Sequence, residues 1–142
     1  MPSLTDVSRR LVRRLYDEYL NPGHLDRLGE IVAADFIGPA EPRGPAGFAA
    51  SIGALRAAFP DLRYELTHVV AEDDRVAVRW ICHGTHRGPF RGIGPTGVTI
   101  ATVGSAIFQQ QGGMLVRAWV ETDRLGFLQA LGALPAEIPP RP

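Results

Sequence analysis

The sequence lacks several features that would point to large classes of function. It contains no lysine, so all of its fifteen basic side chains are arginines, and fifteen acidic side chains balance them to a formal net charge of zero. A neutral chain with scattered arginines offers little of the bulk electrostatic attraction on which nucleic-acid and membrane-surface binding depend. We therefore predict neither a nucleic-acid partner nor a membrane partner.

Cysteine and long apolar runs are also scarce. The single cysteine, Cys82, excludes an internal disulfide and a cysteine-based zinc cluster, and its place in an apolar run is typical of a buried thiol. The N-terminal residues lack the apolar core of a signal peptide, and no run approaches the roughly 20 apolar residues that span a bilayer. No Ser–His–Asp arrangement, metal cluster or dinucleotide fingerprint is present. We expect a soluble, cytoplasmic protein.

The first part of the chain has the periodicity of helices. "SLTDVSRRLVRRLYDEYL" repeats apolar side chains every three or four positions, and the following "NPG" predicts the end of that helix. "HLDRLGEIVAADF" predicts a second short helix. After a loop rich in proline and glycine, "FAASIGALRAAFPDL" predicts a third helix that ends at Pro60.

From residue 63 onward the period changes to two. The pattern predicts two β-hairpins, which turn at "EDD" and at "QGG", followed by a short helix over "DRLGFLQALG". Helices first and long antiparallel strands afterwards predict a single α+β domain over residues 1–134, with a proline-rich tail at 135–142. Helices folded across one face of such a sheet would enclose a pocket suited to a small apolar molecule.

Alternation along each strand predicts which side chains face this pocket. In "RVAVRWICHGTH" the more apolar set is Val76, Val78, Trp80, Cys82, Gly84 and His86. On the last strand the same rule places Trp119 and Glu121 on the outer face, although a β-bulge could turn Glu121 and Asp123 inward. Asp123, directly before the last helix, is predicted to cap it. Leu115, Trp119 and Ile81 make the outer face apolar enough to predict a homodimer.

Four stretches carry a family resemblance. They are "GHLDRLGEIVAADFI", "LRAAFPDLRYEL", "EDDRVAVRWICHGTHRGPFRGIGPTG" and "WVETDRLGFLQALG", and together they resemble the SnoaL-like polyketide cyclases. The resemblance implies the cone-shaped α+β fold of the nuclear transport factor 2-like group, in which N-terminal helices pack on a curved antiparallel sheet. It also implies ring closure by an intramolecular aldol reaction without metal or organic cofactor. In that reaction a base removes an acidic carbon proton and an acid stabilises the enolate oxygen.

The resemblance also guides the choice of site residues. Steroid isomerases of the same group carry acids at the positions that match Gly38 and Ala106, so those acids are absent here. Tyr16 is similar to their proton donor, His86 could accept a proton near neutral pH, and Glu121 would join them if its strand curls inward. The catalytic candidates are therefore His86, Tyr16 and Glu121. The candidate substrate-binding residues are Trp80, Phe59, Phe90, Thr102, Ala106, Phe108, Val120 and Thr122.

Three functions stay open on the sequence alone. The leading one is a cofactor-independent cyclase or isomerase acting on a polyketide-like or other apolar small molecule. Epoxide opening is the second, and it needs Glu121 or Asp123 inside the pocket to protonate the epoxide oxygen. The third is a binding or dimerisation module with a chemically silent pocket, which the missing acids at Gly38 and Ala106 favour. The family fold hosts all three, so the choice depends on the geometry of the site.

Overall fold

A five-stranded sheet with helices on one side forms the protein, in a computed structural model that describes residues 1–39 and 43–142. The helical elements are α1 (Leu4–Arg14), a π-helical segment (Leu15–Leu20), a 3₁₀ helix (Leu25–Glu30), α2 (Pro45–Ala58) and α3 (Arg124–Ala130). The strands are β1 (Val32–Ile37), β2 (Arg63–Glu72), β3 (Arg75–Thr85), β4 (Thr99–Gln111) and β5 (Met114–Thr122). The sheet order is β1-β5-β4-β3-β2, and only the β1–β5 pair is parallel.

The predicted α+β class is confirmed, and so are both predicted hairpins. The β2–β3 hairpin turns at Asp73, whose φ is 51°, and the β4–β5 hairpin turns at Gly112 and Gly113 with φ of 60° and 81°. Glycine adopts such positive φ values without a steric penalty, which explains the "QGG" turn. Within the described residues no helix is long and apolar enough to cross a membrane.

The second predicted helix is wrong over most of its length. Only the 3₁₀ helix Leu25–Glu30 forms, and the chain then enters strand β1. Val32 and Phe36 are both buried and lie four positions apart, a spacing that suits a helix as well as an irregular edge strand. The pairing of Val32 with Leu115 on β5 decides between them, and that partner is distant in sequence.

The first helix forms as predicted but changes its geometry near its end. Ser3 caps α1, because its hydroxyl accepts the Asp6 N–H at 3.1 Å. After Arg14 the turns widen, and the N–H of Asn21 donates to the carbonyl of Tyr16, five residues earlier, at 2.9 Å. Such wide turns are frequent at functional sites, and this one holds the buried side chain of Tyr16.

Asn21 and Arg56 fasten the helical layer to the edge of the sheet. The Asn21 side chain exchanges two hydrogen bonds with the backbone of Tyr64 on β2, at 2.7 and 3.0 Å. The Arg56 guanidinium donates to the carbonyls of Leu20 and Leu62, at 3.2 and 3.3 Å. These bonds satisfy backbone groups that the sheet edge and the helix end leave unpaired. They also fix Tyr64, which forms part of the cavity wall described below.

A register shift in β5 corrects one prediction about the outer face. The pairing jumps from Gln109 with Arg117 to Gln110 with Leu115, so the alternation of β5 reverses at this point. Leu115 is therefore fully buried and not on the outer face, where strict alternation placed it. Trp119 is on that face, 37% exposed.

Candidate active site

A cavity of about 730 Å³ lies between the inner face of the sheet and the helices. Seven of the eight predicted substrate-binding residues line it: Trp80, Phe59, Phe90, Thr102, Phe108, Val120 and Thr122. The eighth, Ala106, is buried in β4 but does not line the cavity. The walls are mostly apolar, as expected for a site that takes up a small apolar molecule.

The buried end of the cavity carries a small group of polar side chains, here called the tyrosine cluster (Tyr16, Tyr64, Trp80 and Cys82). The Tyr16 and Tyr64 rings meet edge to face with centroids 5.4 Å apart, and Tyr64 meets Trp80 at 5.6 Å. Tyr64 and Cys82 are cross-strand partners on β2 and β3. Gly104 makes room for this arrangement, because a Cβ there would lie 2.6 Å from the Trp80 ring.

The tyrosine cluster retains its protons. Burial raises the pKa of Tyr16 well above its ordinary value, and it raises the pKa of Cys82 to about 12. Burial also raises the pKa of Tyr64. Among the described residues none hydrogen-bonds the Tyr16 hydroxyl. Tyr16 therefore presents a neutral hydrogen-bond donor, and not a base, to whatever occupies the cavity.

Three charged and exposed residues also line the cavity: Arg91, Asp123 and Arg124. Asp123 caps α3 as predicted, since its Oδ1 accepts the N–H of Gly126 at 2.9 Å. Gly126 also makes room for the other carboxylate oxygen, which a Cβ at this position would contact. Asp123 is the only carboxylate that the described residues contribute to the cavity wall. No group of described His, Cys, Asp and Glu residues could hold a metal ion.

His86 faces the inside of the sheet but lies one layer behind the cavity wall. Its ring is fully buried and stacks on Phe59 with centroids 5.3 Å apart, and Phe59, not His86, lines the cavity. Nδ1 accepts the Thr96 N–H at 3.2 Å, so a neutral ring carries its proton on Nε2. Nε2 has no hydrogen-bond partner in the described part of the chain. This position favours tethering of the loop that contains Thr96 over direct contact with a ligand.

Glu121 lies outside the cavity. It pairs with Ser105 across β4 and β5, is exposed, and does not line the cavity, so the outward direction that alternation predicts is confirmed. Glu121 forms no ion pair with Arg79 or Arg117. The Arg117 guanidinium lies over the Trp119 ring instead, 4.6 Å from its centroid. Acid/base chemistry by Glu121 therefore has no support from this geometry.

Three polar residues of the cavity wall were not among the predicted site residues: Tyr64, Cys82 and Asp123. Alternation placed Cys82 on the inward face of its strand, and Asp123 was expected inside the pocket only if a β-bulge turned it inward. Tyr64 was not considered, although it is buried in β2 and pairs with the inward Cys82. Asp123 follows the last residue of β5, where the alternation of a strand no longer applies.

Comparison with known proteins identifies the family. The model of the SnoaL-like polyketide cyclase family matches residues 10–131. None of the curated proteins matches the chain. Among solved structures, TsrD from Streptomyces laurentii is 28% identical with a TM-score of 0.81, and the match covers 90% of this chain and 96% of that one.

Two further solved structures have a similar degree of likeness. AclR from Streptomyces galilaeus, a candidate hydroxylase, is 26% identical with a TM-score of 0.82 over 95% of this chain and 86% of that one. IdmH from Streptomyces antibioticus, a candidate polyketide cyclase, is 29% identical with a TM-score of 0.76 over 87% of this chain and 96% of that one. The cone-shaped α+β fold of the nuclear transport factor 2-like group is thereby confirmed. The chain belongs to the SnoaL-like polyketide cyclase family.

Proposed function

We propose that the protein is a cofactor-independent cyclase or isomerase that performs acid/base chemistry on an apolar small molecule in the cavity. The observation that carries this proposal is the buried side chain of Tyr16, which lines the cavity and whose hydroxyl is protonated and without a hydrogen-bond partner among the described residues. A fixed donor in an apolar cavity stabilises an oxygen that gains negative charge far better than water does. Family membership supports a cyclase type of chemistry.

In the proposed reaction the Asp123 carboxylate removes a proton from a carbon next to a carbonyl group. The enolate oxygen accepts a hydrogen bond from Tyr16, and the carbon attacks a second carbonyl of the same molecule. A carbon–carbon bond forms as the π bond of that carbonyl breaks, and the new alkoxide regains the proton from Asp123. Protons therefore balance without a cofactor. Phe59 and Phe108, which line the cavity, would keep water from the enolate.

Substitution of Tyr16 tests this proposal. With a linear poly-β-carbonyl methyl ester as substrate, we expect Tyr16→Phe to lower the kcat of ring closure about 100-fold, because the enolate loses its donor. Tyr19→Phe is the matched control, since Tyr19 is buried in the same helical segment but donates to Glu30 at 3.1 Å and does not line the cavity. Absorbance and product mass follow the reaction. Equal rates in the two variants would refute the role of Tyr16.

Epoxide opening is the second candidate, and the position of Asp123 is the observation that favours it. That chemistry needs a carboxyl group beside the epoxide oxygen, and Asp123 is the lining residue that can supply one. An epoxide-bearing analogue of the same ester, offered in parallel, separates the two reactions. Conversion of the epoxide alone would favour epoxide opening over aldol closure.

We also propose that the outer face of the sheet forms a homodimer. Val70, Ala77, Ile107 and Trp119 pair directly across four strands and make one apolar row there. Val70 is 66%, Ile107 45% and Trp119 37% exposed in the single chain. A continuous row of this kind is self-complementary in a two-fold dimer.

Charge placed in the row should separate the subunits. We expect Ile107→Glu to convert a dimer into a monomer in light scattering, because pairing would bury two unpaired carboxylates. Ile138→Glu is the control, since Ile138 is 56% exposed in the tail, away from the row. A wild-type protein that is monomeric at micromolar concentration would contradict the proposal.

A further inference from the structure

Two exposed arginines of the cavity wall have no part in the proposed reaction. Arg91 and Arg124 both line the cavity, and neither forms an ion pair with a described residue. Asp123 is the only carboxylate that the described residues add to the wall, so the charged lining carries a net positive charge. The tyrosine cluster in the same cavity is neutral. The wall therefore combines two exposed cations with buried neutral donors in a mostly apolar lining.

Arg91 occupies a backbone position that does not suit it. Phe90 and Ile93 exchange two hydrogen bonds, at 2.9 and 2.8 Å, and thereby close a tight turn through Arg91 and Gly92. The φ of Arg91 is 47° and that of Gly92 is 80°, a pair of left-handed residues for which asparagine and glycine are favoured. Backbone strain of this type is typical of functional positions. The Arg91 guanidinium lies over the Phe90 ring, 5.5 Å from its centroid, and this contact holds the Arg91 side chain against the turn.

Arg124 breaks a second local rule. It is the first residue of α3, where the partial positive charge of the helix terminus disfavours a cation. Both arginines therefore stand where local preferences oppose them, and such conflicts in natural proteins concentrate at functional sites.

Aromatic packing holds the two arginine-bearing elements together. Phe90, beside Arg91, meets Phe127 of α3 edge to face with centroids 5.3 Å apart. Phe59 contacts both rings, at 6.2 and 5.7 Å. The turn and the helix are therefore packed together, and this unit, here called the rim, brings both arginines to the cavity wall.

We infer that Arg91 and Arg124 bind a carboxylate of the substrate, so that the ligand is an apolar molecule with one anionic end. This inference rests on the proposed function only in placing the substrate in the same cavity. A guanidinium group can donate two parallel hydrogen bonds to a carboxylate. Two guanidinium groups would also offset the free-energy cost of placing that negative charge beside the apolar walls. The apolar body of the ligand then extends toward Tyr16. The anionic end thereby fixes which carbonyl of the substrate reaches the tyrosine cluster.

A matched pair of probes tests the inference. 6-Hydroxy-2-naphthoic acid and its methyl ester share an apolar body and differ only in the charge at one end. Fluorescence titration should show the acid binding about tenfold more tightly than the ester, with the difference shrinking as salt is added. Arg91→Gln and Arg124→Gln should each remove most of this preference, because they lower the affinity for the acid far more than that for the ester. Arg13→Gln, an exposed arginine of α1 that does not line the cavity, is the control.

Two further variants separate this site from the rest of the molecule. Arg91→Asn suits the left-handed turn, so it should keep or raise the Tm while removing the preference for the acid. Tyr16→Phe should weaken both probes equally, because the phenol group is common to them. If the wild-type protein prefers the acid but Tyr16→Phe does not weaken either probe, the result counts against the proposed function and not against the arginine site.

Three results would overturn the inference itself. The first is equal affinity of the wild-type protein for acid and ester. The second is a loss in the arginine variants that is the same for both probes. The third is tighter binding of 2-naphthyl phosphate than of the acid, which would replace the carboxylate by a phosphate group.

Discussion

Replacement of Asp123 by asparagine should abolish most turnover and leave the fold intact. We expect kcat for ring closure to fall about 100- to 10,000-fold, the usual contribution of a positioned general base. An amide cannot accept the carbon proton. Asparagine is as good an N-cap as aspartate, so its Oδ1 can still accept the Gly126 N–H that Asp123 binds at 2.9 Å. Initial rates and thermal unfolding of the same samples measure the two effects separately.

Glu121→Gln is the matched control for this substitution. It removes the same charge two residues earlier, from an exposed position on the outer face of the sheet. We expect its rate and its Tm to equal those of the wild-type protein. If Asp123→Asn were as active as Glu121→Gln, the carboxylate at the cavity wall would have no part in the chemistry. The base would then have to be sought elsewhere.

The tyrosine cluster alone could not carry out the proposed proton transfer. Burial raises the pKa values of Tyr16, Tyr64 and Cys82, so all three are donors that hold their protons. A proton transfer needs an acceptor as well as a donor. In the proposed reaction Asp123 is the lining residue that supplies this acceptor.

Alternation predicted the inner face of the sheet wherever the strands are regular. Along β3 the inward set from Val76 to His86 is buried at every second position, because β3 pairs with β4 without a register shift. The same rule failed at Leu115, where the shift beside Gln110 reverses the alternation of β5. Met114, Leu115 and Val116 beside the shift are all apolar, so the hydrophobic pattern of the sequence carries no sign of it.

Strand β1 shows a different limit of sequence reasoning. Its two buried residues, Val32 and Phe36, repeat at a helical interval, and its partner β5 lies about eighty residues further along the chain. A local pattern contains no information about such a partner. The tertiary pairing therefore overrides the local preference, as it often does for short edge strands.

The site itself was predictable in its walls but less so in its chemistry. Most of the substrate-binding residues predicted from strand alternation and the family resemblance do line the cavity, and so does Tyr16. Alternation also placed His86 on the inner face of the sheet, where it lies. Alternation predicts the face to which a side chain points, but not whether another residue separates it from the cavity. Phe59 stands between His86 and the cavity because it comes from the end of α2, outside the sheet. Only the packing of a separate element decides which inward residue meets a ligand.

Phe59 is accordingly the residue whose truncation we expect to affect stability most. Phe59 is 0% solvent-exposed, and its ring contacts those of His86, Phe90 and Phe127. Gly84 of β3 leaves room for it, since a Cβ there would lie 2.9 Å from the Cβ of Phe59. Phe59→Ala should lower the free energy of unfolding by about 3–5 kcal/mol, from lost burial and the space left behind. Urea unfolding measures this loss.

Phe48→Ala is the comparison that gives the result its meaning. Phe48 also lines the cavity, but it is half-buried. Its ring packs on Phe36, with centroids 5.5 Å apart, and not on Phe90 or Phe127 of the rim. We expect a smaller loss of stability there, about 1–2 kcal/mol, because part of its surface stays exposed. Phe59→Ala should in addition weaken the preference for a carboxylate probe, since the turn of Arg91 and helix α3 lose their common support. An equal effect of the two variants on that preference would mean that the rim is held by contacts other than Phe59.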